Sequence, residues 1–309
     1  MKTRGTGILP VKNRSQNGHP AAKEYHGQDA RATTSPAWRK FRRNRGALIG
    51  MVSLGVLATA ALLMPLAWPF DYMSGDLRGQ FRPPNAMHWL GTDEFGRDQL
   101  ARVLYGLRVS LIVGLVAAAI NVVIGSLYGG VSGYFGGKTD DTMMRVVEVF
   151  YGIPMLLVVM LLMTILGRGL QNVFLAIGLV YWLGMARIVR GQVLTLKERD
   201  YVEAARALGA SSGRIIVRHL LPNTLGVVIV AGTLRIPEAI FIEAFLSFVG
   251  LGIAEPKASL GSLVASSLGS LESQPWLLIG PSAAISLLML AFNFVGDGLR
   301  DAFDPQMQS

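Results

Sequence analysis

The chain has 309 residues, 51% of them hydrophobic and only 16% charged, where an ordinary soluble domain carries roughly 25% charged residues, so lipid is the solvent this composition suits. It has no cysteine, which excludes disulfides, thiolate nucleophiles and thiolate-ligated metals. The net charge of +9 is not a nucleic-acid signature: Lys2, Arg4, Lys12, Arg14, Lys23, Arg31, Arg39, Lys40, Arg42, Arg43 and Arg45 gather ahead of the first apolar run, with only Glu24 and Asp29 against them and no aromatic-interleaved basic module.

Residues 1–37 mix Gly, Asn, Gln, Ser and Thr with basic charge and show no apolar periodicity, which predicts a disordered leader. Basic residues beside an apolar run mark a cytoplasmic terminus. The first apolar run starts at Ala47, behind too long a polar stretch and over too great a length for a secretory signal, whose apolar region is about 7–15 residues. Runs of about 20 apolar residues, enough to cross a bilayer, recur over 47–68, 110–134, 144–166, 170–188, 223–246 and 276–295. They predict an all-α polytopic membrane protein with about six transmembrane helices, because backbone polar groups in hydrocarbon must bond within their own segment. A β-barrel would need alternating segments of about ten residues, and these runs are continuously apolar.

The resulting plan is a first helix and extracytoplasmic loop over 38–108, a core over 109–305 containing a cytoplasmic loop at 189–222, and a tail at 306–309. With the N-terminus inside, the loop at 189–222 carries Arg190, Lys197, Arg199, Arg206, Arg214 and Arg218, whereas the outer loop at 250–274 has only Lys257. That asymmetry agrees with the positive-inside rule and places both termini in the cytoplasm. The first outer loop mixes Arg78, Arg82, Arg97, Arg102 and Arg108 with Asp71, Asp76, Asp93, Glu94 and Asp98, so charge does not help orient it. Gly50 and Gly55 in the first span, and Gly114, Gly125 and Gly129 in the second, are positions where helices can approach closely.

Within the cytoplasmic loop, residues 200–223 parse as two short helices. Asp200 is a candidate N-cap with Glu203 three residues on, and the helix formers from Glu203 to Leu208 stop at Gly209, the residue best suited to a left-handed C-terminal position. Ser211 or Ser212 starts the second helix, and Pro222 marks its boundary with the fifth span. Small residues at Ala204, Ala205, Ala207 and Gly209 leave backbone that another protein could approach, although a loop lying on the membrane surface has the same pattern.

Glu203-Ala204-Ala205, Gly209 and Leu221-Pro222 resemble the EAA loop of ATP-binding-cassette (ABC) importer permeases, with His219 standing where that family has Ile. His88-Trp89-Leu90-Gly91-Thr92-Asp93-Glu94-Phe95-Gly96-Arg97-Asp98 is similar to the C-type permease subunit of dipeptide and oligopeptide importers. So are Ala244-Phe245-Leu246-Ser247-Phe248-Val249-Gly250-Leu251-Gly252 and Gly296-Asp297-Gly298-Leu299-Arg300-Asp301 followed by Asp304-Pro305. The likeness runs from about Trp38 to Pro305, with Leu260-Gly261 standing where the family often has Trp-Gly.

The resemblance implies a type I ABC importer permease fold in a bacterial inner membrane, working with a second homologous permease, two cytoplasmic ATPases and an extracytoplasmic substrate-binding protein. It also implies that Glu203, Ala204, Ala205, Leu208 and Gly209 dock into a cleft of an ATPase and transmit its closure to the spans.

Chemistry of the chain's own is not indicated. Gly91 to Asp98 approaches the phosphate-loop pattern but lacks its Lys and its Ser or Thr, so a nucleotide site belongs to a partner. His19, His26, His88 and His219 are scattered, with no metal-ligand spacing, and no residue set points to catalysis or to a cofactor. Charges near membrane depth are functional candidates. Arg145 and Glu148, three apart, read as an ion pair or as residues reaching for the interface; Arg235, Glu238 and Glu243, around the helix-interrupting Pro237, either line the substrate path or hold the bundle together. A self-sufficient carrier or channel is the competing function, and it predicts internal repeats that the sequence does not show.

Overall fold

A computed structural model describes residues 36–303. The readings of residues 1–35, of Asp304 and Pro305 and of the tail at 306–309 lie outside the described residues. Eleven α-helical segments and no named strand make up the described chain, and five helices are each long and apolar enough to cross a membrane.

A short helix α1 (Pro36–Arg43) leads into α2 (Arg45–Ala67), whose first turn is capped by the Asn44 side chain accepting from Ala47 N at 3.1 Å. The same Asn44 amide donates to Asp301 at 2.9 Å, fixing the start of α2 to the end of the last helix. α2 then packs along that helix, and a Cβ on Gly50 would lie 2.7 Å from Ala291 O. Gly55 meets nothing within 4 Å, so of the two glycines only Gly50 is a close-approach position.

The segment between α2 and α3 (Gln99–Phe135) is a folded cap rather than an open loop. Asp98 caps α3 by accepting from Ala101 N at 2.7 Å and also accepts from Trp68 Nε1 at 3.0 Å, while His88 Nδ1 lies 2.8 Å from its other oxygen. Asp93 accepts from Arg97 Nε and Arg102 Nη1, both at 2.7 Å. α3 therefore begins at Gln99, well before the expected start of its span at 110, and the charge of Arg102 in its first turn is neutralised inside the protein. At about 1.5 Å per residue the 37-residue helix is roughly 55 Å long, well beyond a hydrocarbon core of about 30 Å.

The third span is not one helix. α4 (Gly137–Tyr151) and α5 (Met155–Leu166) meet at 81°, where Pro154 cannot donate a backbone hydrogen bond. α5 alone is about 18 Å long, too short to cross, so a sixth crossing requires the bent pair to act together. α6 (Leu170–Leu196) runs past the expected end of its span at 188, converting the start of the 189–222 loop into helix.

α7 (Asp200–Ala207) is the first of the two expected short helices, but the second is not separate. α8 (Ser212–Arg214), a π-helical stretch over Ile215–Leu220 and α9 (Leu221–Phe248) form one continuous 37-residue run. Pro222 therefore marks no boundary. The wide turn before it bonds Leu221 N to Ile216 O, five residues back, and takes up the ring and its missing N–H without breaking the helix. Pro237 likewise sits inside α9, which continues through it, so the interruption expected there is absent.

The expected outer loop at 250–274 contains another helix, α10 (Leu260–Leu268), started by a capping box between Ser259 and Ser262. Buried Leu260 and Leu263 pack into the cluster shared with Leu107, Ile240 and Leu288. α11 (Trp276–Phe303) completes the bundle.

α3 lies against α6 and α9 along small residues. A Cβ on Gly125 would meet Met185 and Trp182, one on Gly129 would overlap Ala186 O, and one on Gly114 would lie 2.8 Å from Ile236. Gly129→Leu is expected to destabilise the chain by about 1–3 kcal/mol through forced separation of α3 from α6. Gly55→Leu, in open space, should leave thermal stability in detergent nearly unchanged.

Candidate docking helix and pathway face

α7 is a short helix with one face committed to its own chain. Val202 and Ala205 are buried against Val193, Ile215, Ile216 and Leu220, and the Arg206 guanidinium lies 5.2 Å from the centre of the Tyr134 ring. Asp200 is the first helical residue rather than the cap, a place held by Arg199; Asp200 and Glu203 still complement the positive end of the helix. At the other end Gly209 has φ +78°, with Gly209 N bonding Arg206 O at 2.9 Å and Ala210 N bonding Ala205 O at 3.0 Å. That pair of bonds is a Schellman closure, and its left-handed residue is the position for which glycine is suited.

The outward face presents Tyr201, Glu203, Ala204 and Leu208, the last of these 88% exposed. Of the five residues expected to dock, Glu203, Ala204, Leu208 and Gly209 face outward, while Ala205 faces the bundle. An apolar side chain as open as Leu208, beside small residues at the end of a rigidly mounted helix, is a projecting knob.

Next to this mount is a cluster that sequence spacing does not single out. Arg190 donates from Nε and Nη2 to the two oxygens of Asp140, each at 2.5 Å, and Ser132 Oγ donates to Asp140 at the same distance. One carboxylate therefore joins α3, α4 and α6. In the sequence Arg190 is only one of several basic residues in a loop, because its partner is fifty positions away.

The three charges around Pro237 are not brought together. Arg235 donates from Nη1 to Glu238 Oε2 at 2.5 Å, and this pair borders a cavity with Tyr151, Tyr181 and Gly184. Glu243 is fully buried elsewhere: it accepts from Ser247 at 2.8 Å and from Ser110 at 3.2 Å, and Ser247 in turn accepts from Ser259 at 3.1 Å. Glu243 thus links α3, α9 and the cap of α10. Arg145 and Glu148 are both exposed and form no ion pair among the described residues, so the first of their two readings is absent.

Comparison with known proteins identifies the family. The model of the "Binding-protein-dependent transport system inner membrane component" matches residues 121–309, and that of the "N-terminal TM domain of oligopeptide transport permease C" matches residues 34–84. The dipeptide transport system permease protein DppC of Bacillus subtilis (strain 168) is 49% identical over 276 residues, covering 89% of this chain and 86% of that protein. The oligopeptide transport system permease protein OppC of Escherichia coli (strain K12) is 44% identical over 280 residues, covering 90% and 93%. Among solved structures, an inward-facing MetNI methionine ABC transporter superposes with a TM-score of 0.52 at 23% identity, over 65% of this chain and 95% of that one, a likeness of fold. The chain belongs to the binding-protein-dependent transport system inner membrane components, among the C-type permeases related to DppC and OppC.

Proposed function

We propose that this permease forms half of the translocation path of an ATP-driven importer of dipeptides or oligopeptides. In this role it pairs with a homologous permease and receives substrate from an extracytoplasmic binding protein. ATP is hydrolysed by two separate ATPase subunits, one of them docked on α7, so the chain itself is not an enzyme. Peptide as substrate is supported by the names of the relatives, DppC and OppC. Both termini lie in the cytoplasm, a placement supported by the many basic residues at 189–222 against the single one, Lys257, at 250–274.

The observation that carries the proposal is the mounting of α7, with one face locked to the bundle and Leu208 projecting beside the Gly209 turn. The test is co-purification of the tagged chain in mild detergent with its ATPases, assayed for ATP hydrolysis. Leu208→Asp and Gly209→Asp are each expected to reduce the recovered activity at least about tenfold, corresponding to a loss of roughly 1.4 kcal/mol in docking. If intact chain recovers no ATPase, the carrier or channel function takes first place.

A further inference from the structure

The cavity at the break between α4 and α5, mostly apolar but carrying an ion pair, is not explained by docking to an ATPase. It has a volume of about 110 Å³, room for several waters, and is bordered by Tyr151, Met155, Tyr181, Gly184, Arg235 and Glu238. Gly184 lies near the middle of α6, and Arg235 and Glu238 belong to the long α9 run, so the cavity is far from the ends of both helices. A charged pair facing hydrocarbon at such a position is costly, and intramembrane charges usually face a water-filled space or another protein.

Gly184 is the floor of this cavity. A Cβ built there would lie 2.8 Å from Arg235 Nη2 and 3.0 Å from Tyr151 Oη, so both donors pack directly against this glycine, side by side, where a larger residue would displace them. Arg235 uses Nη1 to hold Glu238, while its Nη2 and the Tyr151 hydroxyl have no hydrogen-bond partner among the described residues. Arg187, one turn along α6 from Gly184, places its guanidinium 4.0 Å from the centre of the Tyr151 ring and adds a second positive charge, with no acidic partner among the described residues. With Arg187 stacked on Tyr151 beside the cavity, two guanidiniums and one carboxylate leave this face with one positive charge in excess, and Arg235 Nη2 and Tyr151 Oη are donors next to Gly184 without a partner among the described residues. The complement is an anion with two acceptor oxygens.

We propose that this cavity is a subsite for the terminal carboxylate of a peptide in transit, which accepts hydrogen bonds from Arg235 Nη2 and Tyr151 Oη above Gly184. The proposal rests on the peptide-importer function. At about 110 Å³ the cavity takes an end group rather than a whole peptide. A lipid phosphate has the same acceptor chemistry but belongs at the bilayer surface, away from the middle of α6.

The absence of cysteine from the chain makes the test direct. In the assembled transporter, Met155→Cys puts a single thiol on the cavity wall and leaves every charge in place. Labelling by a water-soluble thiol reagent is followed by the mass of this chain. Labelling is expected to proceed and to slow about tenfold in the presence of a dipeptide at about ten times its dissociation constant, by simple occupancy. The C-terminal amide of the same dipeptide should protect little, and Arg235→Gln, Tyr151→Phe and Gly184→Ala should each weaken protection without preventing co-purification with the ATPases.

No labelling, equal protection by the amide, protection that survives all three substitutions, or protection by phosphatidylglycerol in place of the peptide would each overturn the proposal. Failure of the wild-type complex to take up peptide with ATP would count against the importer function instead, and is measured separately.

Discussion

Asp93→Ala is expected to lower the stability of the detergent-solubilised chain by roughly 3 kcal/mol, the lower end of the range for removing one partner from a buried ion pair. The carboxylate accepts from Arg97 Nε and Arg102 Nη1 at 2.7 Å and from the backbone N–H groups of Phe95 and Arg97 at 2.9 and 2.8 Å. Both arginines are buried, so its loss leaves two guanidiniums without their main partner. Glu255 places the effect at the lower end, because its side chain, 51% exposed, lies 3.5 Å from both of them and offers a remaining counter-charge. Thermal unfolding followed by near-ultraviolet circular dichroism gives the value. A triple variant, Asp93→Ala with Arg97→Met and Arg102→Met, should recover much of the loss, since no unpaired charge then remains. If the triple variant is no better than the single one, the two backbone hydrogen bonds of the cap, rather than the ion pairs, carry the stability.

That cap shows where the sequence is legible and where it is not. The long apolar runs identify the membrane helices because lipid imposes one backbone solution, whatever the side chains do. In the stretch from Asp71 to Arg108 the five arginines balance the five carboxylates, so composition gives no orientation, although residues 88–98 carry a family resemblance. The organisation of this stretch lies in which charge meets which, and Arg97 and Arg102 share Asp93 after the chain has turned through Gly96, at φ +71°.

The ends of helices mislead for a related reason. Polar residues suggest limits for α3 and α6, whereas Arg102 and Arg190 are helical residues whose charges are satisfied by carboxylates on other parts of the chain. Prolines mislead in the opposite sense: Pro222 and Pro237 read as breaks but lie within the α8 to α9 run, while Pro154, in an unbroken apolar run, sits at the sharp bend. Local propensity for a break is present at all three, and packing decides which one breaks. At the end of α7 the local signal is sufficient, because the Gly209 turn is set by residues within one helical turn of it.

Motion of α7 would reach the spans through the block on which it is mounted. Val202, Ala205 and the Arg206 contact with Tyr134 hold it to the ends of α3, α6 and the π-helical stretch. Asp140 joins α4 to that same block by its two bonds from Arg190 and one from Ser132. Asp140→Asn keeps the shape but replaces a charge-assisted fork with a single neutral acceptor. With the Arg190 side chain one-third exposed, the loss of stability should be modest, about 1–2 kcal/mol.

The larger effect is expected on coupling. α4 leads directly to the bend at Tyr151, so loosening it from α6 lets α7 move without carrying the bend along. In proteoliposomes, Asp140→Asn should retain ATPase activity while peptide taken up per ATP hydrolysed falls about tenfold, equivalent to roughly 1.4 kcal/mol of coupling. Asp140→Leu with Arg190→Met removes both charges and should restore stability. If it also restores uptake per ATP, a firm contact between α4 and α6 is enough; if uptake stays low, the fork itself is required. Full coupling in Asp140→Asn would mean that α4 is not part of the lever and that α7 acts through α6 and α9 alone.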